Sequence, residues 1–417
     1  MRRAAVLCIA LVALAAVARG QGSPVGPEFR VNTQTYGTQF YPAAGRDALG
    51  NFVVAWSSEP QDGSTHGVFG QRFASSGEPL GPDFRVNTYT TDAQYFPSIA
   101  VSASGDFVVL WDSIGQDGSG RGVFGQRFAS SGGPLGTEFR VNTYTTNYQS
   151  GAAAAADAAG NFVVVWNSGG QDSSAYGVFG QRYASSGAPI GPEFRVNTFT
   201  TGFQGGPSVA ADPSGNFVVV WASDGQDGSY AGVFGQRFAS SGAPLGPEFP
   251  VNSYTTGPEY LPAVATDASG SFVVVWQRVN TVTKTSAIFG QRYSSSGSPL
   301  GSEFLVNGAQ FANKAAIAID SSGNFVVAWT DCGYPFGCNP AEIIGRRFGS
   351  NGTPLAPAFR VNTYTPYPQT EASVASDPAG NFVVVWQSVA QNGNGSGIFG
   401  QRFAPILPVE LIHFRIE

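Results

Sequence analysis

The chain has 417 residues, of which 12% are charged, and a formal net charge of −6. A mildly acidic balance of this kind lacks the basic footprint that nucleic acid or an anionic lipid surface demands. With 55 Gly, 27 Pro, 32 Phe and 15 Tyr against one Met, the composition disfavours helices and suits strands joined by tight turns.

The N-terminus comes first. Arg2 and Arg3 precede an apolar run from Ala4 to Val17, followed by small residues up to Gly20. This layout predicts a secretory signal peptide over residues 1–20, and hence an exported, secreted or cell-surface protein. The run is short of the roughly 20 residues a membrane span needs, and the mature chain is expected to hold no span.

From residue 24 onward one unit repeats. The seven tryptophans, Trp56, Trp111, Trp166, Trp221, Trp276, Trp329 and Trp386, mark successive copies. The arginines Arg72, Arg127, Arg182, Arg237, Arg292, Arg347 and Arg402 recur 55 residues apart throughout. Within the fourth copy, residues 207–211 read as a small-residue strand. Asp212-Pro213-Ser214-Gly215 is a type I turn, with Asp to cap it and Pro pre-setting φ. Residues 216–221, apolar on both faces, predict a strand covered on both sides. A long polar loop then leads to residues 233–238, a second tight turn, and a fourth strand near Phe249.

Four short antiparallel strands per copy, seven times, predict an all-β, seven-bladed β-propeller. The propeller is placed at residues 24–404, with 405–417 as a C-terminal tail. Residues 28–32 match the fourth strands of the other copies almost letter for letter. The N-terminal strand is therefore expected to close the ring on the last blade, although residues 409–417 are an alternative source of that strand.

The unit "GNFVVVW…GQDGS…GVFGQRF…PLGPEFRVNT" resembles repeats of bacterial exported and surface proteins, some RTX-type adhesins among them. That resemblance implies the fold and no particular activity. Leu407-Pro408-Val409-Glu410-Leu411 is also similar to the opening of C-terminal sorting segments.

Candidate functional residues divide into three groups. Asp47, Asp157, Asp212, Asp267, Asp320 and Asp377, with Ser102 in the second copy, suit the first position of a tight turn. The loops after the first four tryptophans carry Asp62, Asp117, Asp172 and Asp227, weak candidates for calcium because each loop offers one or two carboxylates where calcium takes 6–8 oxygens. The third group lies on the face built by the long loops. Seventeen residues before each Trp stand Gln39, Gln94, Gln149, Gln204, Glu259 and Gln369, broken by Ala312 in the sixth copy. Near them are Tyr36, Tyr89, Tyr144, Tyr254 and Tyr364. A ring of amides with aromatic neighbours suits a glycan or a protein ligand, unless each Gln serves its own loop.

Cys332 and Cys338 are expected to form a disulfide in the exported chain. His66 sits in a variable loop and His413 in the tail, so no Ser-His-Asp set is predicted. The expectation is a monomeric binding or surface-interaction module that is not an enzyme and needs no cofactor. Two alternatives stand beside it: a polysaccharide hydrolase using Glu259 and Glu371 at the channel mouth, and a structural spacer of a surface layer. The copies depart from one another most visibly in blades five and six, so a ligand is expected to favour that sector.

Overall fold

In the computed structural model, residues 23–308, 311–333, 341–393 and 395–405 are described. They form seven four-stranded antiparallel sheets. Blade one shows the plan, with strands Gln39–Arg46, Phe52–Ser58, Gly67–Phe73 and Phe84–Arg85 from the axis outward. The second strand is buried along its whole length, as its unbroken apolar run requires when a neighbouring blade covers each face.

The core lies between blades, not within them. Val53, Ala55, Val68 and Val86 of blade one pack with Phe107, Val109, Trp111 and Phe124 of blade two, and the same arrangement recurs around the ring. All seven tryptophans are fully buried at these junctions. Phe52 stacks on Phe73 with ring centroids 4.8 Å apart, a pairing repeated by Phe217 and Phe238.

Blades are also tied by polar contacts. Arg72 donates to the Ser130 carbonyl of the next blade at 2.6 Å, Arg182 to Ser240 at 2.7 Å and Arg292 to Asn351 at 2.6 Å. On the other face, Glu138 accepts from the Thr88 backbone at 2.6 Å and from Gln116 at 2.5 Å.

The ring closes as expected, by the N-terminal strand. Phe29 and Arg30 pair with Gly400 and Phe399. Val25 and Val31 donate to the carbonyls of Arg402 and Ile398, each at 2.8 Å, and Asn32 Oδ1 accepts from Ile398 at 2.7 Å. Closure completes the last blade to four strands, like the other six. Residues 409–417, the alternative source of that strand, lie outside the described residues. So do residues 1–20, where a signal peptide is expected, most of the tail, His413 and Cys338. Cys332 is described and is buried. Among the described residues no helix is long and apolar enough to cross a membrane.

Candidate functional site

Each innermost strand runs from the long-loop face to the tight-turn face, so the central channel has two mouths of different construction. At the tight-turn mouth the Asp series is consumed by its own turns. Asp212 Oδ1 accepts from the backbone of Ser214 at 2.8 Å and of Asn216 at 3.0 Å, and Oδ2 accepts from the Asn216 side chain at 2.8 Å. Asp47, Asp157, Asp320 and Asp377 do the same. Arg46 adds an ion pair to Asp377 at 3.3 Å. The mouth encloses about 310 Å³, lined by near-identical turns.

At the long-loop mouth every innermost strand carries a β-bulge two residues in. Pairing breaks between Phe40 and Ala43 in blade one, and at the matching place in each of the other six. The bulged residue has positive φ in all seven blades: Tyr41 (53°), Phe96 (55°), Gly151 (66°), Gly206 (63°), Leu261 (52°), Lys314 (42°) and Glu371 (59°). Five of these are not glycine, and each stores about 1–2 kcal/mol of backbone strain. Bulges re-aim a side chain out of the regular pleat. Here the side chains meet across blade boundaries at the axis.

Lys314 of blade six forms an ion pair with Glu371 of blade seven. The Lys314 ammonium lies 5.9 Å from the Tyr41 ring of blade one, and that ring lies 4.4 Å from Phe96 of blade two. Tyr41, Lys314 and Glu371 line a cavity of about 340 Å³ with Thr38, Phe40, Asn313, Thr330, Thr370 and Gln387. A carboxylate, an ammonium, a phenol ring and a phenyl ring thus share one half of the mouth. Gly151 and Gly206 leave the other half open.

In blades two and three the residue after the Trp supports the next blade's bulge. Both Asp112 oxygens accept from Gly151 N–H at 3.1 Å, and Asn167 Oδ1 accepts from Gly206 N–H at 3.0 Å. Asp112 is fully buried, and burial pushes its carboxyl up to about 7, against the hydrogen bond from Gly151 and the charge of Arg121.

The Gln series sits just behind this ring. Gln39, Gln94, Gln149, Gln204 and Gln369 are fully buried, and each donates to a loop carbonyl of its own blade, as Gln94 does to Thr91 at 2.8 Å and Gln149 to Thr146 at 2.9 Å. They hold the loops, and the bulged residue lies two positions further on. Glu259 is likewise buried, paired to Arg278 at 2.9 Å, while Arg278 reaches Glu303 at 2.8 Å. Glu259 and Glu371 are therefore not brought together as an acid pair. Tyr36 and Tyr254 are exposed on the long-loop face and Tyr89, Tyr144 and Tyr364 are half-buried there. Arg278 lies over the Tyr254 ring at 4.5 Å.

Asp62, Asp117, Asp172 and Asp227 each accept from a Ser backbone two residues on, at 2.9–3.1 Å. Among the described residues no three His, Cys, Asp or Glu converge as a metal site. The most exposed aromatic side chains, including Tyr148, Phe203, Tyr230, Tyr260 and Tyr367, all stand on the long-loop face.

No protein-family model and no curated protein matches the chain, so the resemblance to surface-protein repeats is carried by its residues alone. Solved structures do match in fold. A polysaccharide lyase, Uly1, aligns with TM-score 0.56 and 9% identity over 91% of this chain and 99% of its own. A protein of unknown function from Dyadobacter fermentans aligns with TM-score 0.53 and 10% identity over 92% and 98%. The α-L-arabinofuranosidase Arb93A from Fusarium graminearum aligns with TM-score 0.52 and 10% identity over 91% and 98%. At such identity the likeness is one of fold. It nonetheless corrects the expectation of a non-enzyme, because propellers matched over nearly their whole length include two carbohydrate-active enzymes by name. The fold gives no ground for setting catalysis aside.

Proposed function

We propose that the protein binds and cleaves a polysaccharide at the long-loop mouth of its channel. One observation carries this reading: at a single ring of strained positions a sevenfold repeat abandons its sameness and places Glu371, Lys314, Tyr41 and Phe96 side by side. Strain at non-glycine residues persists where the surroundings impose it, and such residues cluster at functional sites. The carbohydrate-active neighbours support a polysaccharide over other ligands.

In this reading Glu371 is the proton donor or acceptor at the glycosidic linkage, and Lys314, its ion-pair partner, holds it in place. Tyr41 and Phe96 give apolar faces on which a sugar ring stacks. With Glu259 locked to Arg278, a pair of free carboxylates is not what the mouth offers, so the chemistry rests on the Glu–Lys–Tyr set.

The test is the full chain incubated with arabinan, xylan, β-glucan, polygalacturonate and alginate. New reducing ends measure cleavage, and ultraviolet absorbance of an unsaturated end separates elimination from hydrolysis. Glu371→Gln should lower product formation by about a hundredfold or more and leave binding in place. Binding without new ends from any of the five would make this a binding module on the same face.

A further inference from the structure

The open half of the loop mouth has its own construction. Gly151 and Gly206 are neighbours in the ring, on blades three and four, where four of the other five blades carry Tyr, Phe, Lys or Glu. A side-chain carbon built on Gly206 meets nothing within 4 Å. One built on Gly151 would lie 2.9 Å from Asn167 Nδ2, so that amide group sits beside the vacant place. Asn167 Oδ1 is occupied by Gly206 N–H, which fixes the side chain's orientation and leaves its N–H donors directed elsewhere. Three residues before each glycine stand Tyr148 and Phe203, 51% and 38% exposed. Gly205 lets the Phe203 ring lie over the strand, since a side-chain carbon there would come within 2.4 Å of it.

We infer that blades three and four form a subsite for one uncharged sugar residue of the polysaccharide, with Asn167 Nδ2 donating to a ring hydroxyl and Tyr148 and Phe203 stacking on its apolar face. The inference rests on the polysaccharide reading above and adds the place and the charge of the bound residue. Aromatic rings present broad apolar faces and an amide supplies a directional donor, which is the mixture a pyranose or furanose presents in reverse. Asn167, Tyr148 and Phe203 are all uncharged, so the subsite itself offers a uronate no charged partner. Arg121, at the edge of the sector, is stacked over Tyr95 at 4.8 Å.

The molecule supplies its own test. Blade two carries Phe96 at the bulge position with φ 55°, close to the 63° of Gly206, so Gly206→Phe repeats a residue this backbone already holds. Likewise Asn167→Asp repeats Asp112, which accepts from the next bulge in the same way; it keeps the acceptor and exchanges the donor amide for a carboxyl. Binding of the full chain to arabinan, xylan and β-glucan, and to polygalacturonate as the charged arm, is measured by affinity electrophoresis alongside melting temperature. Gly206→Phe should melt somewhat below the parent, for the strain of a side chain at positive φ, and Asn167→Asp close to it. At a temperature where both are folded, both should bind the neutral polysaccharides about tenfold or more weakly, equivalent to about 1.4 kcal/mol. Parent-like binding by both variants overturns the subsite, as does a parent that binds polygalacturonate but none of the neutral chains. Loss of product in Glu371→Gln with parent-like binding in Gly206→Phe would leave the cleavage reading standing and sink this one. A panel in which nothing binds removes both.

Discussion

The tight-turn mouth encloses about 310 Å³ lined by every blade, and one side of the long-loop mouth holds a cavity of about 340 Å³, yet the two are opposites in chemistry. At the tight-turn mouth six aspartates spend their oxygens on their own turns, as Asp212 does on Ser214 and Asn216. Such a residue is fixed by the backbone it caps, so the copies stay alike. At the long-loop mouth the bulge frees one side chain per blade from any duty to the scaffold. The copies there read Tyr, Phe, Gly, Gly, Leu, Lys and Glu. One repeat can thus carry a rigid end and a variable end, depending on whether its polar groups are needed to satisfy backbone.

Blade five teaches the same lesson from the other side. Its departures from the repeat suggested a ligand sector, but they compensate one another. Glu259 replaces Gln, Arg278 replaces the Ser found at Ser113 and Ser223, and Arg278 takes over Glu303, the counterpart of the Glu138 and Glu193 that accept from Gln116 and Gln171. A coordinated swap of buried partners is a structural event.

The largest expected effect removes the frame both mouths share. Deleting residues 24–32 strips the closing strand of its hydrogen bonds to Ile398 and Arg402 and exposes the buried side of the last blade. At about 1 kcal/mol per hydrogen bond, plus the lost burial of Val31, several kcal/mol go. The melting temperature should fall by about 10 °C or more. A deletion that melts with the parent would mean the ring does not depend on this strand.

A smaller effect separates the mouths directly. Asp212→Ala leaves two backbone donors and an amide without their acceptor, and should destabilise by about 1–2 kcal/mol without changing polysaccharide binding. Lys314→Met should do the reverse: stability within about 0.5 kcal/mol, with product formation lowered. Thermal melts and product assays on the pair decide it, and equal stability losses would erase the distinction.

Much of this was legible in the sequence. The Trp series at a near-constant spacing marks the blades, the Asp–Gly turns fix strand direction, and residues 28–32 announce the closure. The bulge was not legible, because it adds length to every copy equally. From Gln39 to Trp56 and from Ala312 to Trp329 the separation is the same, so no irregularity betrays an extra residue. The repeated Gln is the conspicuous feature of the sequence, and its repetition reflects its duty to the loop. Greater weight on variation between copies would have singled out the position two residues later, where Tyr41 and Lys314 stand.

The last effect is read as a pH dependence and concerns Asp112, the group that supports the open half of the loop mouth. Its carboxyl is pushed from the ordinary 3.8 up to about 7 by burial, with Gly151 N–H and the Arg121 charge opposing. The folded state therefore holds a proton that the unfolded chain releases. That contribution to stability is complete below pH 3.8 and is lost as the pH rises to about 7. Its slope is at most about 1.4 kcal/mol per pH unit. Asp112→Asn keeps an acceptor for Gly151, as Asn167 already does for Gly206 in the next blade, and has no proton to lose. Melting curves of parent and variant should diverge across that window, the parent losing stability relative to the variant as the pH rises. The difference should stay constant above it. Comparing the two chains at each pH cancels the titration of Glu259, which burial also raises. Parallel curves from pH 3.8 to about 7 would show that Asp112 is ionised in the fold and that the Gly151 bulge rests on a carboxylate.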